Sequence, residues 1–153
     1  MGLINSIRGD CIYLDANIWI YALEGASEYS QQLTALFEES DAGSLTLVTS
    51  ELSLAEIMVK PIRTANVSEQ ENYKKAITST DDLIVVPVDR SILIQAAETR
   101  ANTKLKLPDA IHAATAIASN CTTFLTNDKQ FRTVKGLNTL LMSQISTEPD
   151  DAE

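Results

Sequence analysis

Residues that build zinc or disulfide sites are scarce in this sequence. It has one histidine, His112, and two cysteines, Cys11 and Cys121, which lie far apart and form no CxxC motif. A structural zinc site uses about four nitrogen or sulfur ligands, so the composition argues against that class of site. We expect both cysteines to be reduced, partly buried thiols.

Long hydrophobic runs are also absent. No apolar stretch reaches the roughly 20 residues that cross a membrane as a helix, and the first residues, MGLINSIRGD, lack the apolar segment of a signal peptide. We therefore predict a cytoplasmic protein with no membrane partner. The length of 153 residues suits one domain, predicted over residues 1–145. The acidic segment STEPDDAE, residues 146–153, is predicted to be a disordered tail.

Positive charge is sparse, with 12 Lys and Arg against 21 Asp and Glu, giving a net charge of −9. Phosphates favour a basic surface, so this balance is unusual for a nucleic-acid enzyme. Most of the basic residues nevertheless lie close in sequence to four acids discussed below, although each could also be a solvated helix end. They are Lys60, Arg63, Arg100, Lys104, Lys106, Lys129, Arg132 and Lys135.

Short apolar, β-branched segments alternate with helical patterns along the chain. The predicted strands are Ile12–Leu14, Leu45–Thr49, Leu83–Pro87, Thr123–Leu125 and Asn138–Leu141. Alternation of this kind predicts an α/β fold of three layers, a five-stranded parallel sheet with helices on both faces. The segment LIVV further suggests a strand that is buried on both sides.

The intervening helices carry recognisable start and stop signals. Asn17 is predicted to cap a helix that begins near Ile18, and Pro61 to stop a helix that Ser50 caps. The capping-box spacing of Ser68 and Glu71 predicts the start of a further helix. The remaining predicted helices run from about Glu28 to Asp41, from Asp89 to Ala101 and from Pro108 to Ser119.

Four acids stand where the chain changes from strand to helix: Asp15, Glu56, Asp109 and Asp128. The carboxyl ends of parallel strands share one edge of the sheet, so these side chains are expected to meet in one cleft. Clustered carboxylates repel each other unless a cation holds them, and a hard divalent ion, Mg²⁺ or Mn²⁺, prefers such oxygen ligands. Each acid also has an ordinary alternative role, as helix cap, surface ion pair, dipole partner or turn residue.

His112 lies one turn after Asp109 on the same predicted helix, among Ala113, Ala116 and Ile117. A packed structural histidine is the favoured interpretation there, rather than a catalytic base. The single Asp15 after the first strand also argues against a receiver domain, which needs a pair of acids at that place. A haloacid-dehalogenase-type phosphatase needs Asp-x-Asp, whereas this chain has Asp15-Ala16-Asn17.

The segments IYLDANIWIYAL, SELSLAEI, LPDAIHAATAIA and FLTND together resemble the PIN domain family, in particular VapC-type toxins of bacterial toxin–antitoxin pairs. The resemblance implies metal-ligand and catalytic roles for Asp15, Glu56 and Asp109, and a supporting or second-metal role for Asp128. It also implies that Asn17 lines the site and that Thr126 orients the last acid.

The function implied is Mg²⁺- or Mn²⁺-dependent endoribonuclease activity, hydrolysing RNA phosphodiester bonds, as the toxin of a toxin–antitoxin module. The expected partners are an RNA substrate, a second copy of the chain in a homodimer, and a small antitoxin with a basic C-terminal segment. Two alternatives stay open: a non-catalytic PIN-like interaction domain, and a PIN nuclease with a role outside toxin–antitoxin systems.

Overall fold

The computed structural model describes residues 2–25 and 28–145. Its five strands form one parallel sheet in the order β3-β2-β1-β4-β5. This confirms the predicted five-stranded parallel sheet, and the strand ends differ only slightly from those expected. The strands are β1 (Cys11–Leu14), β2 (Thr46–Ser50), β3 (Leu83–Val86), β4 (Thr123–Thr126) and β5 (Thr139–Leu141).

Seven α-helices connect and flank these strands in the described ranges. They are α1 (Leu3–Ser6), α2 (Ala16–Glu24), α3 (Ser30–Asp41), α4 (Glu51–Arg63), α5 (Val67–Ala76), α6 (Arg90–Asn102) and α7 (Leu107–Ala118). Two 3₁₀-helices, Lys129–Thr133 and Met142–Gln144, flank β5. None of the helices in the described part of the chain is long and apolar enough to cross a membrane. The predicted acidic tail, residues 146–153, lies outside the described residues.

Both faces of the sheet are covered, as the alternation of side chains along β1 shows. Ile12 and Leu14 pack with Trp19 and other residues of the first helices in one core cluster. Tyr13, between them, points to the opposite face and packs with Phe124 in a second cluster. Successive strand residues face opposite sides, so one strand contributes to both cores and the fold has three layers.

The LIVV segment is less buried than its composition suggested. It forms β3, which pairs only with β2 and is an edge of the sheet. Leu83 is buried, but Ile84 is 49% exposed. The prediction of burial on both sides was therefore wrong, because an apolar sequence does not distinguish a central strand from an edge strand.

Pro61 does not end the helix that Ser50 begins. Ser50 caps α4 as predicted, with its hydroxyl accepting from the Leu52 amide at 3.0 Å. The helix continues to Arg63 and includes Pro61, which is buried. Proline has no backbone N–H, so the last turn of α4 lacks one hydrogen bond of the helix. Just beyond the end of the helix, the Asn66 amide donates to the carbonyl of Pro61 at 2.9 Å.

Helix α5 begins earlier than the capping-box spacing of Ser68 and Glu71 predicted. Asn66 is the cap, since its side chain accepts from the Glu69 amide at 3.0 Å and its own amide group faces the Glu69 carboxylate at 3.5 Å. A cap residue followed three residues later by an acid is therefore present, as predicted. The pair is Asn66 and Glu69, however, two residues upstream of Ser68 and Glu71.

The two cysteines are free thiols, as expected. Cys11 begins β1, Cys121 precedes the neighbouring strand β4, and their sulfur atoms are 3.5 Å apart. Both are partly buried.

The sheet order places the candidate site. From β1 the chain builds outward to β2 and β3, then crosses back to form β4 and β5 on the other side. The switch point therefore lies between β1 and β4, where α/β sheets open a crevice at the carboxyl ends of the strands. Asp15 follows β1 directly, and Asp128 follows β4 by two residues.

Candidate active site

Asp15 is buried at the switch point and also begins helix α2. It is 5% exposed, its backbone is still extended, and its Oδ1 accepts from the Ile18 amide at 3.2 Å. Asp15 is therefore the cap of this helix, and the prediction that Asn17 caps a helix beginning near Ile18 was wrong. The helix starts immediately after the strand, which leaves Asn17 already in the first turn, with its side chain exposed.

Thr126, the last residue of β4, joins two of the acids. Its buried hydroxyl donates a short hydrogen bond to Oδ2 of Asp15 and accepts one from the backbone amide of Asp128 at 3.1 Å. The hydroxyl thus orients the Asp15 carboxylate and the backbone at Asp128, not the Asp128 carboxylate itself. That carboxylate caps the following 3₁₀-helix by accepting from the Gln130 amide at 2.9 Å.

The carboxylates are near enough to disturb one another. Burial raises the pKa of Asp15 from 3.8 to about 6, while the hydrogen bond from Thr126, the His112 ring and the Ile18 amide limit the rise and the Asp109 carboxylate adds to it. A buried charge next to a like charge is unfavourable. The folded protein therefore holds Asp15 in a place that lacks compensating positive charge.

Asp109, in the first turn of α7, faces the same group of charges. Burial raises its pKa, and the carboxylates of Asp128 and then Glu56 raise it further, against the opposing effects of His112 and Lys106. Asp109 therefore interacts electrostatically with each of the other three sequence-predicted acids, which lie on elements distant along the chain. This agrees with the expected cleft.

Glu56 is held by a chain of buried hydrogen bonds. Its Oε1 lies 2.6 Å from Nε2 of His112, and Nδ1 of the same ring lies 2.6 Å from the Tyr13 hydroxyl. His112 is only 2% exposed. Burial raises the pKa of Tyr13 well above its usual value, so the phenol keeps its proton. Lys60, one turn after Glu56 on the same helix, pairs with Glu24 at 3.6 Å.

The four acids offer the kind of ligand atom that a hard divalent cation prefers. All are carboxylate oxygens, and each oxygen of Asp15 accepts one hydrogen bond, which leaves lone pairs for a further ligand. The raised pKa values of Asp15 and Asp109 mark a lack of positive charge that a cation would supply. Within residues 2–25 and 28–145, however, no three His, Cys, Asp or Glu side chains form a ready-made group around one point. The metal-ligand assignment therefore stays a prediction.

A pocket of about 780 Å³ opens beside two of the acids. Asp109 and Asp128 line it together with Lys104, Lys106 and Gln130. The exposed lysines come from the loop between α6 and α7, which Arg100 fastens by donating to the Leu105 carbonyl at 3.0 Å. Positive charge is thus placed next to the acidic group even though the chain as a whole is acidic.

The sequence profile of the PIN domain family matches residues 12–137. The chain belongs to the PIN domain family. The match covers β2, β3, β4 and all of β1 except Cys11, ends before β5, and contains all four acids of the site. No protein of curated function matches the sequence.

Solved structures of toxin–antitoxin proteins share this PIN fold. VapBC2 from Rickettsia felis, bound to a promoter DNA fragment, is 18% identical with a TM-score of 0.68, covering 86% of this chain and 98% of that one. A toxin–antitoxin complex from Klebsiella pneumoniae is 23% identical with a TM-score of 0.65, covering 86% and 97%. VapC20 from Mycobacterium tuberculosis, a sarcin-ricin loop cleaving toxin, is 18% identical with a TM-score of 0.64, covering 79% and 92%. At these identities the likeness shows the common fold.

Sequence reasoning missed two features of this PIN domain. His112 is buried, as expected of a packed residue, but its bonds to Glu56 and Tyr13 were not foreseen. A histidine one turn after Asp109, on a helix otherwise made of small apolar residues, was the available signal. The second feature is the pocket, in which Lys104 and Lys106 lie beside the acids. The two lysines are close to Asp109 in sequence, but that closeness does not determine which side chains line a pocket.

Proposed function

We propose that this PIN domain is a Mg²⁺- or Mn²⁺-dependent endoribonuclease that acts as the toxin of a toxin–antitoxin pair. The observation that carries the proposal is the buried Asp15 carboxylate, with its raised pKa, beside Asp109 at the switch point of the sheet. Structural roles alone do not require a like-charged pair there. Membership of the PIN family and the fold shared with VapC20, a sarcin-ricin loop cleaving toxin, support the activity.

In this proposal Asp15, Glu56, Asp109 and Asp128 hold the cation, and Thr126 and the Ile18 amide keep Asp15 in place. When bound, the divalent ion supplies positive charge that makes a water molecule more acidic and offsets charge on the phosphoryl group under attack. Hydrolysis then breaks the bond to the 3′ oxygen and leaves 5′-phosphate and 3′-hydroxyl ends.

His112 is not placed to act as a general base on the RNA. Both ring nitrogens are engaged, by Tyr13 and by Glu56, and the side chain is almost fully buried. A general base must come within hydrogen-bond reach of the proton that it removes. The 2′-hydroxyl is therefore not expected to be the nucleophile, and cyclic phosphate products are not expected.

Substrate and partners follow from the charges. Lys104 and Lys106 line the pocket beside Asp109 and Asp128 and would bind RNA phosphates next to the site of cleavage. The acidic cluster would in turn attract a basic segment of an antitoxin, whose arginine matches a carboxylate bidentately. The Klebsiella pneumoniae relative is described as a toxin–antitoxin complex. A homodimer is also proposed, on the family resemblance, and sedimentation as a monomer at micromolar concentration would contradict it.

The test is cleavage of end-labelled RNA by the purified protein, with Mg²⁺, with Mn²⁺ and with EDTA. Wild type should cut with either ion, stop in EDTA, and yield 5′-phosphate ends. Asp15→Asn should be slower by about 10²–10³, the usual loss for one strong electrostatic contact. Full activity in EDTA, or none with any divalent ion, would overturn the proposal, and the second result would favour a non-catalytic interaction domain.

A further inference from the structure

Three elements meet in one chain of hydrogen bonds, of which the proposed chemistry uses only Glu56. Tyr13 comes from β1, His112 from α7 and Glu56 from α4. The distances are 2.6 Å from the tyrosine hydroxyl to Nδ1 and 2.6 Å from Nε2 to the glutamate Oε1. The inner two side chains are buried, whereas about a third of the Glu56 side chain is exposed. The chain therefore runs from the core to the acidic cleft.

With Glu56 ionised and the His112 ring neutral, the chemistry of the groups sets the direction of each bond. An ionised carboxylate only accepts hydrogen bonds, so Nε2 must carry the proton that faces Glu56. In the neutral ring Nδ1 is then an acceptor, and the tyrosine hydroxyl donates to it. Tyr13 thus selects the form of the His112 ring that donates to Glu56.

Aromatic packing fixes the two inner rings. Tyr13 stacks on Phe124, with ring centroids 5.0 Å apart and planes inclined by 5°. The His112 ring meets Tyr13 edge to face, at 5.8 Å and 69°. Rings held in this way cannot swing away from Glu56, whose own side chain is long, flexible and partly exposed.

We propose that His112 is a positioning residue, which with Tyr13 holds Oε1 of Glu56 and so presents Oε2 to the cation. The inference rests on the proposed function, because it needs a divalent ion among the acids. Carboxylate ligands are commonly oriented by such outer partners, whose loss typically weakens metal affinity about 10- to 100-fold. The residue does not touch the substrate or the ion.

The experiment measures Mn²⁺ binding to the full chain directly, from the free-ion signal in electron paramagnetic resonance, beside RNA cleavage and thermal unfolding. His112→Leu keeps the bulk and removes the donor, so its Mn²⁺ dissociation constant should rise about 10- to 100-fold. His112→Gln can place an amide donor near the position of Nε2, and it should recover most of the affinity. Tyr13→Phe keeps the stacked ring but loses the hydroxyl, so a smaller rise is expected.

Thr115→Val is the matched control. Thr115 is fully buried on the same helix, and its hydroxyl donates to the Ile111 carbonyl at 2.7 Å. This variant should lower the midpoint of unfolding and leave Mn²⁺ affinity unchanged, whereas His112→Leu should weaken Mn²⁺ binding to the folded protein. Should His112→Leu fail to fold, Tyr13→Phe and His112→Gln carry the test.

The outcomes separate the two proposals. Unchanged or tighter Mn²⁺ binding in His112→Leu and Tyr13→Phe, beside a wild type that binds and cleaves, would overturn the positioning role alone. Equal weakening in Thr115→Val would also overturn it, as a general effect of packing. A wild type that neither binds Mn²⁺ nor cleaves RNA would remove the proposed function, and the positioning role with it.

Discussion

Replacing Asp15 with Asn should stabilise the metal-free protein while it abolishes most of the cleavage. The carboxylate is buried near Asp109, and its pKa is raised from 3.8 to about 6. A raised carboxyl pKa means that the folded state favours the protonated form. The stability associated with that proton is present below about pH 4 and is lost as the pH rises through about 6. Asparagine carries no charge at any of these pH values.

The size of the effect follows from the pKa. A rise from 3.8 to about 6, at about 1.4 kcal/mol per pKa unit, makes the ionised side chain unfavourable by about 3 kcal/mol above pH 6. Asparagine is as good a helix cap as aspartate. Its side-chain NH₂ must, however, face one of the two donors that bond the carboxylate, the Ile18 amide or the Thr126 hydroxyl. Placing two donors against each other costs about 1–2 kcal/mol. The net gain in the free energy of unfolding is therefore about 1–2 kcal/mol, or roughly 2–8 °C in Tm.

The assay is thermal unfolding in EDTA between pH 4 and pH 8, with Asp89→Asn as the control. Asp89 also caps a helix through its carboxylate, accepting from the Ile92 amide at 2.9 Å, but it is exposed. Asp15→Asn should gain stability that grows from pH 4 to pH 7, and Asp89→Asn should not. A lower Tm for Asp15→Asn at pH 8 would refute the reasoning, since the carboxylate would then be a structural group.

Three further changes test other parts of the site. Thr126→Val removes the hydroxyl bonded to Asp15, so it should raise the pKa of that carboxyl above about 6, measurable by NMR titration in EDTA; a lower pKa would contradict the assigned hydrogen bond. Lys104→Ala with Lys106→Ala should weaken RNA binding and reduce its salt dependence, with the slope of log affinity against log salt changing by about 1–2; an unchanged slope would place the RNA elsewhere. Asp109→Asn combined with Asp15→Asn should weaken binding of the antitoxin's basic segment, measured by calorimetry, and unaffected binding would exclude an arginine contact at these acids.

The sheet and its acids could be predicted from sequence because their signals are local. Each strand is a short apolar run, and the ends of parallel strands must share one edge. Asp15 and Asp128 could therefore be expected close together although they follow different strands. The edge position of β3 could not be foreseen, because strand order depends on contacts between strands and not on the LIVV segment itself.

Caps and long-range contacts were the parts that sequence reasoning could not fix. Asn17 and Asp15 are two positions apart, and both are good cap residues. Which of them caps α2 depends on where β1 ends. The bond between His112 and Glu56 joins residues 56 positions apart. The sequence around each residue gives no sign of the other, so only the packing of α4 against α7 shows that they are partners.

The most direct test of the metal-dependent mechanism is a single Mn²⁺ titration in which ion occupancy and RNA cleavage rate are measured on the same samples. For wild type the rate should rise in parallel with occupancy, because the acids at the switch point act through the cation. Asp15→Asn should need far more Mn²⁺ and should cleave slowly even when loaded. Cleavage that is complete before any Mn²⁺ binds, or that is equally fast in Asp15→Asn, would contradict the account.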